Sequence, residues 1–264
     1  RLFGGRRDFS SCLENMFRVS LHQAPDKKRF SHLIFTLSRG LAGRLYFLLH
    51  HLYILINIKR LSPTNKQHFD IMLQGFWDWS INPKSDVELK DRYFVGLPAS
   101  LKNMGYSVGY WAVLSHQNEV WQRGRSLRGV LQESLKYPEV VLIDRYLNFS
   151  DVFRVALNPR YFILWFIFSF TGKYAALFTR DGLNFYPLFK NQLLGSFISN
   201  SIPYCELITI ATKRMCCSLK PEFILTFLEF FLSSRPVYAG AKQANPAVTV
   251  YTSQHAAHCS DKTF

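Results

Sequence analysis

Several signatures are missing from this chain of 264 residues, and each absence narrows what it can be. Its five cysteines, Cys12, Cys205, Cys216, Cys217 and Cys259, contain no Cys-x-x-Cys pair and share no regular spacing. That argues against a disulfide framework or a zinc knuckle and fits a reducing cytoplasm. His258-Cys259 stands close to His255, but no second ligand pair is nearby, so no metal site is expected. No Gly-x-Gly-x-x-Gly follows the first apolar strand pattern and no Gly-x-x-x-x-Gly-Lys-Ser/Thr occurs, which removes the phosphate cradles of a classical dinucleotide fold and of a P-loop. The opening "RLFGGRRDFSSC" lacks the apolar stretch of a signal peptide, and it begins on Arg, as a piece of a longer protein would. Acidic residues are scarce: 18 Asp and Glu face 32 Lys and Arg, for a net charge of +14. Such a surface attracts phospholipid headgroups, nucleic acid or phosphate-bearing substrates.

What is abundant is apolar and aromatic: 48% and 16% of residues, enough for a sizeable core and too much for a disordered chain. Two runs invite a membrane reading. "LYFLLHHLYILINIKRL" (Leu45 to Leu61) is interrupted by His50 and His51, and "YFILWFIFSF" (Tyr161 to Phe170) is short. Both fall below the roughly 20 apolar residues that span a bilayer. With Arg39 and Arg44 before it and Lys59 and Arg60 after it, the first run suits a buried core helix or a helix lying on an anionic membrane surface.

Beyond Pro63 the chain alternates. "HFDIMLQGFWDWS" reads as a strand over about Phe69 to Leu73, stopped by Gly75 and followed by an aromatic, acidic loop and a polar loop, "INPKSDVELKD". "RYFVGLPASLKNMGY" has helical spacing and a C-terminal stop at Gly105, and "SVGYWAVLS" is a second buried strand. The unit recurs: a basic amphipathic helix from Gln122 to Lys136, then a strand over Val140 to Ile143. Phe149 to Ser199 reads as helical with breaks at Pro159, Gly172 and Pro187, and Arg180 to Phe185 contains an Asp-Gly turn. A helix opened by Pro203, a strand in "PEFILTFLE", a helix with Pro236 in its first turn and a strand in "AVTVYTSQH" complete the pattern. Repeated crossovers between unalternated apolar strands predict an open, Rossmann-like parallel α/β sheet over residues 70–264, behind a helical N-terminal extension over 1–69.

In such sheets ligands bind beyond the carboxyl ends of the strands. The residues there are Asp78 and Ser80, His116, Asp144 and Arg145, Glu229, and Gln254-His255. This is a rim dense in titratable groups, although loops are polar in any case.

The stretches "GFWDWS", "DRYFVGLPASLKNMGYSVGYW" and "LEFFLSSRPVYAGAKQANPAVTVYTSQHAAHCSDKTF" resemble a family of bacterial surface-carbohydrate biosynthesis proteins of O-antigen and capsule loci, itself regarded as similar to two-domain GT-B glycosyltransferases. The resemblance covers roughly residues 70 to 264 and is carried best by Asp91-Arg92-Tyr93-Phe94 ahead of Leu97-Pro98. It departs from the pattern at Ala256, where related groups often have Gly after Gln-His. It implies that Glu229 and Gln254-His255 border an interdomain cleft, that a second domain follows Phe264, and that the partners are a nucleotide-sugar and a saccharide or lipid-linked acceptor, with no cofactor. The expected location is cytoplasmic, at the inner face of the cytoplasmic membrane.

Glycosyl transfer with inversion needs a base for the acceptor hydroxyl and positive charge for the departing diphosphate. Asp78, Glu229 and His255 are the candidates for the base; each also suits a structural role, as a turn cap, a partner of Arg235 or a packing residue. Arg145, Arg235 and Lys262 are candidate phosphate contacts, and the absence of an Asp-x-Asp string fits a GT-B enzyme working without a bound metal. Two other readings stay open: a non-catalytic peripheral membrane component of a polysaccharide assembly, and a nucleic-acid binder. Against the second, most aromatics fall inside predicted core elements and no nucleic-acid-binding module string occurs.

Overall fold

The computed structural model describes residues 28–61, 68–77, 81–83, 89–114, 127–170, 178–180, 183–227 and 234–253. They form two compact units, one of residues 1–47 and 156–202, the other of 48–155 and 203–264. The first helix, α1 (Lys28–Leu61), contributes residues to both.

The larger unit contains β1 (Ile71–Trp77), β2 (Ile81–Pro83), β3 (Leu89–Asp91), α2 (Leu97–Asn103), β4 (Val108–Leu114), α3 (Leu127–Ser134), β5 (Val140–Leu142), a 3-10 turn (Ile143–Tyr146) and α4 (Phe149–Ala156). Strands β1, β4 and β5 pair in parallel. The smaller unit supplies α5 (Arg160–Phe170), β6 (Thr179–Arg180), β7 (Leu183–Asn184) and α6 (Tyr186–Ile198). The chain then returns to the sheet through α7 (Ser201–Leu219), β8 (Phe223–Phe227), α8 (Ser234–Ala244) and β9 (Thr249–Ser253). β8 pairs in parallel with β1, and β9 with β8. The five parallel strands therefore lie in the order β5-β4-β1-β8-β9. Numbered by appearance this is 3-2-1-4-5, the order of a doubly wound Rossmann-like sheet.

The two faces of the sheet are anchored by two tryptophans with no exposed surface. In β1 Trp77 donates its indole N–H to the Val130 carbonyl of α3 at 3.1 Å, and in β4 Trp111 donates to Thr212 Oγ1 of α7 at 3.0 Å. The ladder sets Trp77 opposite Leu114 and Trp111 opposite Gln74, so alternation along the strands sends the two indoles to opposite faces. Helices α7 and α8 share the Trp111 face. Gly240 of α8 lies so close to α7 that a Cβ there would stand 2.5 Å from the Thr209 carbonyl oxygen.

Three sequence expectations are corrected here. β1 does not stop at Gly75: its ladder with β4 runs through Gly75↔Ala112 to Trp77↔Leu114, because backbone pairing in a central strand requires no side chain. The polar loop after it contains an antiparallel pair, with Ile81 opposite Asp91 and Pro83 opposite Leu89. Pro187 does not break a helix; it sits in the first turn of α6, where its missing N–H has no cost. Gly105, by contrast, does close α2, at φ +92°. Gly172 and the Asp181-Gly182 pair lie outside the described residues.

In the smaller unit Trp165, Phe197 and Ile198 form a core against which Leu37, Leu164 and Leu194 pack. Arg44 is buried in it at 3% exposure. Its guanidinium donates to the Phe197 carbonyl at 2.8 Å and lies 4.8 Å from the centre of the Tyr161 ring, while Nε and Nη1 have no hydrogen-bond partner among the described residues. Burial pushes its pKa down to about 10. By sequence Arg44 reads as a basic flank facing a membrane; in the fold it points inward.

Candidate functional site at the carboxyl edge of the sheet

The strand order reverses between β1 and β8, and the chain direction leaves from β1 toward β4 on one side and from β8 toward β9 on the other. This is the topological switch point, where connections leave in opposite directions and open a crevice beyond the strand ends. The ladder itself opens there. β1 and β8 pair only over Ile71↔Phe223, Met72↔Ile224 and Leu73↔Leu225. β8 then continues alone with β9 to Phe227↔Ser253, while the freed edge of β1 receives Ile81 of β2 opposite Trp77.

Gln74 is the first residue past that parting. Its side chain is 1% exposed, and neither its amide oxygen nor its nitrogen has a hydrogen-bond partner among the described residues. Alternation from the Met72↔Ile224 pair puts it on the same face as Thr226, also buried. A buried amide without partners costs about 1–3 kcal/mol, so such groups in folded proteins are normally matched by some other polar atom. The sequence carries a signal for this position: Gln74 is the one polar side chain in "IMLQGFW", a strand buried at all seven positions.

A second polar cluster sits at the end of β5. The 3-10 turn carries Asp144 inward at 4% exposure, where its Oδ1 lies 3.4 Å from Nδ1 of His51 on α1. The His51 ring is 6.0 Å from that of Tyr204 and edge-on to His50 at 5.3 Å. Burial, reinforced by His51 and opposed by Asp144, pushes His50 down to about 4. Burial also drives the Tyr204 hydroxyl far above its ordinary range, with Asp144 adding to the effect. A carboxylate facing an imidazole nitrogen fixes the orientation of the ring. His50 and His51 are visible in the sequence as polar interruptions of an apolar helix; that one of them meets the carboxylate after β5 is a tertiary fact.

The candidate residues divide accordingly. Asp144 faces His51 in the interior; Arg145, next to it, is half-buried; Arg235 is exposed in the first turn of α8. With strands about 4.8 Å apart, β5 stands three spacings, roughly 14 Å, from β8, so the β5 turn and the switch point are separate places on the rim. Asp78, Ser80, His116, Glu229, Gln254, His255 and Lys262 lie outside the described residues. The strands that lead into Asp78 and into Glu229 are the two that flank the switch point, and the strand leading into Gln254-His255 is the next one over.

Asp91, from the string that carries the family resemblance, has a structural task. Its Oδ1 accepts the backbone N–H groups of Tyr93 at 2.8 Å and Phe94 at 3.0 Å and so fixes the turn into α2. No group of three or more His, Cys, Asp or Glu that could hold a metal ion occurs among the described residues. Comparison of the chain with protein-family models, with curated proteins and with solved structures finds no match.

Proposed function

We propose that this chain is a GT-B-like glycosyltransferase of bacterial surface-polysaccharide synthesis, moving a sugar from a nucleotide-sugar to a saccharide or lipid-linked acceptor at the cytoplasmic face of the membrane. The observation that carries the reading is the strand order: a 3-2-1-4-5 parallel sheet has its ligand crevice between β1 and β8, and those strands lead in sequence to Asp78 and Glu229. The Gln74 amide, just past the parting of β1 and β8 and without a hydrogen-bond partner among the described residues, supports it, since a ligand hydroxyl or phosphate oxygen would supply one.

In this scheme Asp78, Glu229 or His255 takes the proton from the acceptor hydroxyl as its oxygen attacks the anomeric carbon. The bond to the diphosphate breaks with the electron pair leaving on phosphate oxygen, where Arg235 and Lys262 offer charge. Ser80, His116 and Gln254 hold sugar or base hydroxyls, and Arg145 serves the more distant end of a long ligand, while Asp144 is turned inward to His51.

The test is transfer from a panel of nucleotide-sugars to lipid-linked saccharide acceptors by the purified chain and by Asp78→Asn, Glu229→Gln and His255→Ala. Loss of the base is expected to lower transfer by about 10²-fold or more in one of the three, with nucleotide-sugar binding retained. Wild-type transfer by all three variants would remove the assignment, and so would a chain that binds no nucleotide-sugar.

A further inference from the structure

Helix α1 has two faces. At 100° per residue, Gly40, Arg44, Phe47, Leu48, His51, Ile54, Leu55 and Ile58 are buried on one of them. The opposite face carries Ile34, Leu41, Leu45, Leu49, Tyr53 and Ile56, each at least 40% exposed. These residues share an arc of roughly 120° with Phe35 and Tyr46 at its margin, and they run along about 33 Å of helix. Scattered exposed apolar residues are ordinary; a continuous stripe of this length on one helix is not.

The charge along the helix selects the occupant. No Asp or Glu occurs anywhere in Lys28–Leu61, while Arg39, Lys59 and Arg60 are all exposed, the last two in the terminal turn. Lys59 stands 4.4 Å over the ring of Phe149, itself exposed, and Phe153 one turn further along α4 is exposed as well. An apolar stripe whose charged neighbours on the helix are all cations matches the acyl and headgroup layers of an anionic bilayer, with the long basic side chains reaching up to phosphate. Ile34–Arg60 is also long and apolar enough to cross a membrane. A spanning helix is disfavoured because one face, including His51 and Arg44, is already buried in the chain's own packing.

We infer that the exposed face of α1 is a docking surface for an anionic lipid bilayer, on which the helix lies in the plane of the headgroup boundary. The stripe does not depend on the glycosyltransferase reading and can be tested apart from it. The full chain is mixed with sedimentable vesicles of phosphatidylcholine alone or with about 30% phosphatidylglycerol, an anionic content at which surface potential dominates binding. It is expected to pellet with the second and not the first, and to be released by high salt.

Leu45→Glu with Leu49→Glu is expected to lower the partition at least tenfold, and Lys59→Ala with Arg60→Ala to lower it severalfold and flatten the salt dependence. All four positions are exposed, so circular dichroism should show an unchanged fold. Failure to bind either vesicle overturns the inference. So does equal binding to both, or self-association that Leu45→Glu with Leu49→Glu abolishes, which would make the stripe an interface between copies.

Discussion

The two units handle buried polarity in opposite ways. In the larger unit several deep polar groups are matched: Trp77 and Trp111 each have an acceptor, and Asp151 on α4, with its side chain 4% exposed, pairs with both terminal guanidinium nitrogens of Arg214 and accepts the Asn148 amide. In the smaller unit Arg44 is equally deep and has one carbonyl and two aromatic rings for company, with no carboxylate partner among the described residues. A matched pair is costly to break, whereas an unmatched charge is costly to keep. Gln74, also in the larger unit, has no hydrogen-bond partner among the described residues and stands at the switch point.

Removing the best-matched large group should have the largest effect. Trp111→Ala is expected to cost about 3–5 kcal/mol in urea unfolding, by opening a cavity between the sheet and α7 and stranding the Thr212 hydroxyl. A cost under about 1 kcal/mol would mean that the sheet core is not closed on that face.

The same substitution in the two units should then give opposite signs. Arg214→Met leaves Asp151 with the Asn148 amide and a 3.5 Å contact to Arg154, and is expected to destabilise by about 2 kcal/mol, reduced from the usual value because Arg214 is 38% exposed. Arg44→Met removes two unpartnered donors and is expected to be neutral or stabilising by up to about 2 kcal/mol. Equal losses from both would erase the contrast.

The smallest effect is on pH. The folded pKa of His50 is depressed, so the unfolded state takes up its proton first, and stability falls as pH drops from about 6.5 toward about 4. The hydrogen bonds from Ser107 hold the Asp70 carboxyl below its ordinary range; at Asp151 burial opposes ionisation, but Arg214 and the Asn148 amide outweigh it. The stability these carboxylates contribute is present above about pH 4 and lost below it. Thermal midpoints between about pH 7 and pH 3 should therefore fall in two stages, and His50→Gln should remove only the first.

The sheet is legible in the sequence because its strands are unalternated apolar runs bounded by turn residues, which locates five of them to within a few positions. Their order is not, since 3-2-1-4-5 is set by which edge each crossover joins, and no residue encodes that locally. β1 reads short because Gly75 looks like a stop until the β4 ladder is seen to pass through it. The apolar run in the sequence starts at Leu45 with Arg44 as its basic flank, whereas α1 begins at Lys28 and takes in Gly40 and Arg44. Both are on the buried face, where Gly40 admits Ile198 and Arg44 reaches Phe197. Rim candidates can be named by type and position after each strand, whereas Gln74 and His51 need their tertiary surroundings to stand out.

Hydrogen–deuterium exchange of the full chain with and without a saturating nucleotide-sugar tests the central claim most directly. Protection is predicted in peptides covering residues 71–80 and 223–231, the two strands at the switch point and the residues just beyond their carboxyl ends, with the exposed face of α1 unchanged. Protection elsewhere with none at β1 and β8, or no protection by any nucleotide-sugar, would contradict a ligand site at the carboxyl edge of this sheet.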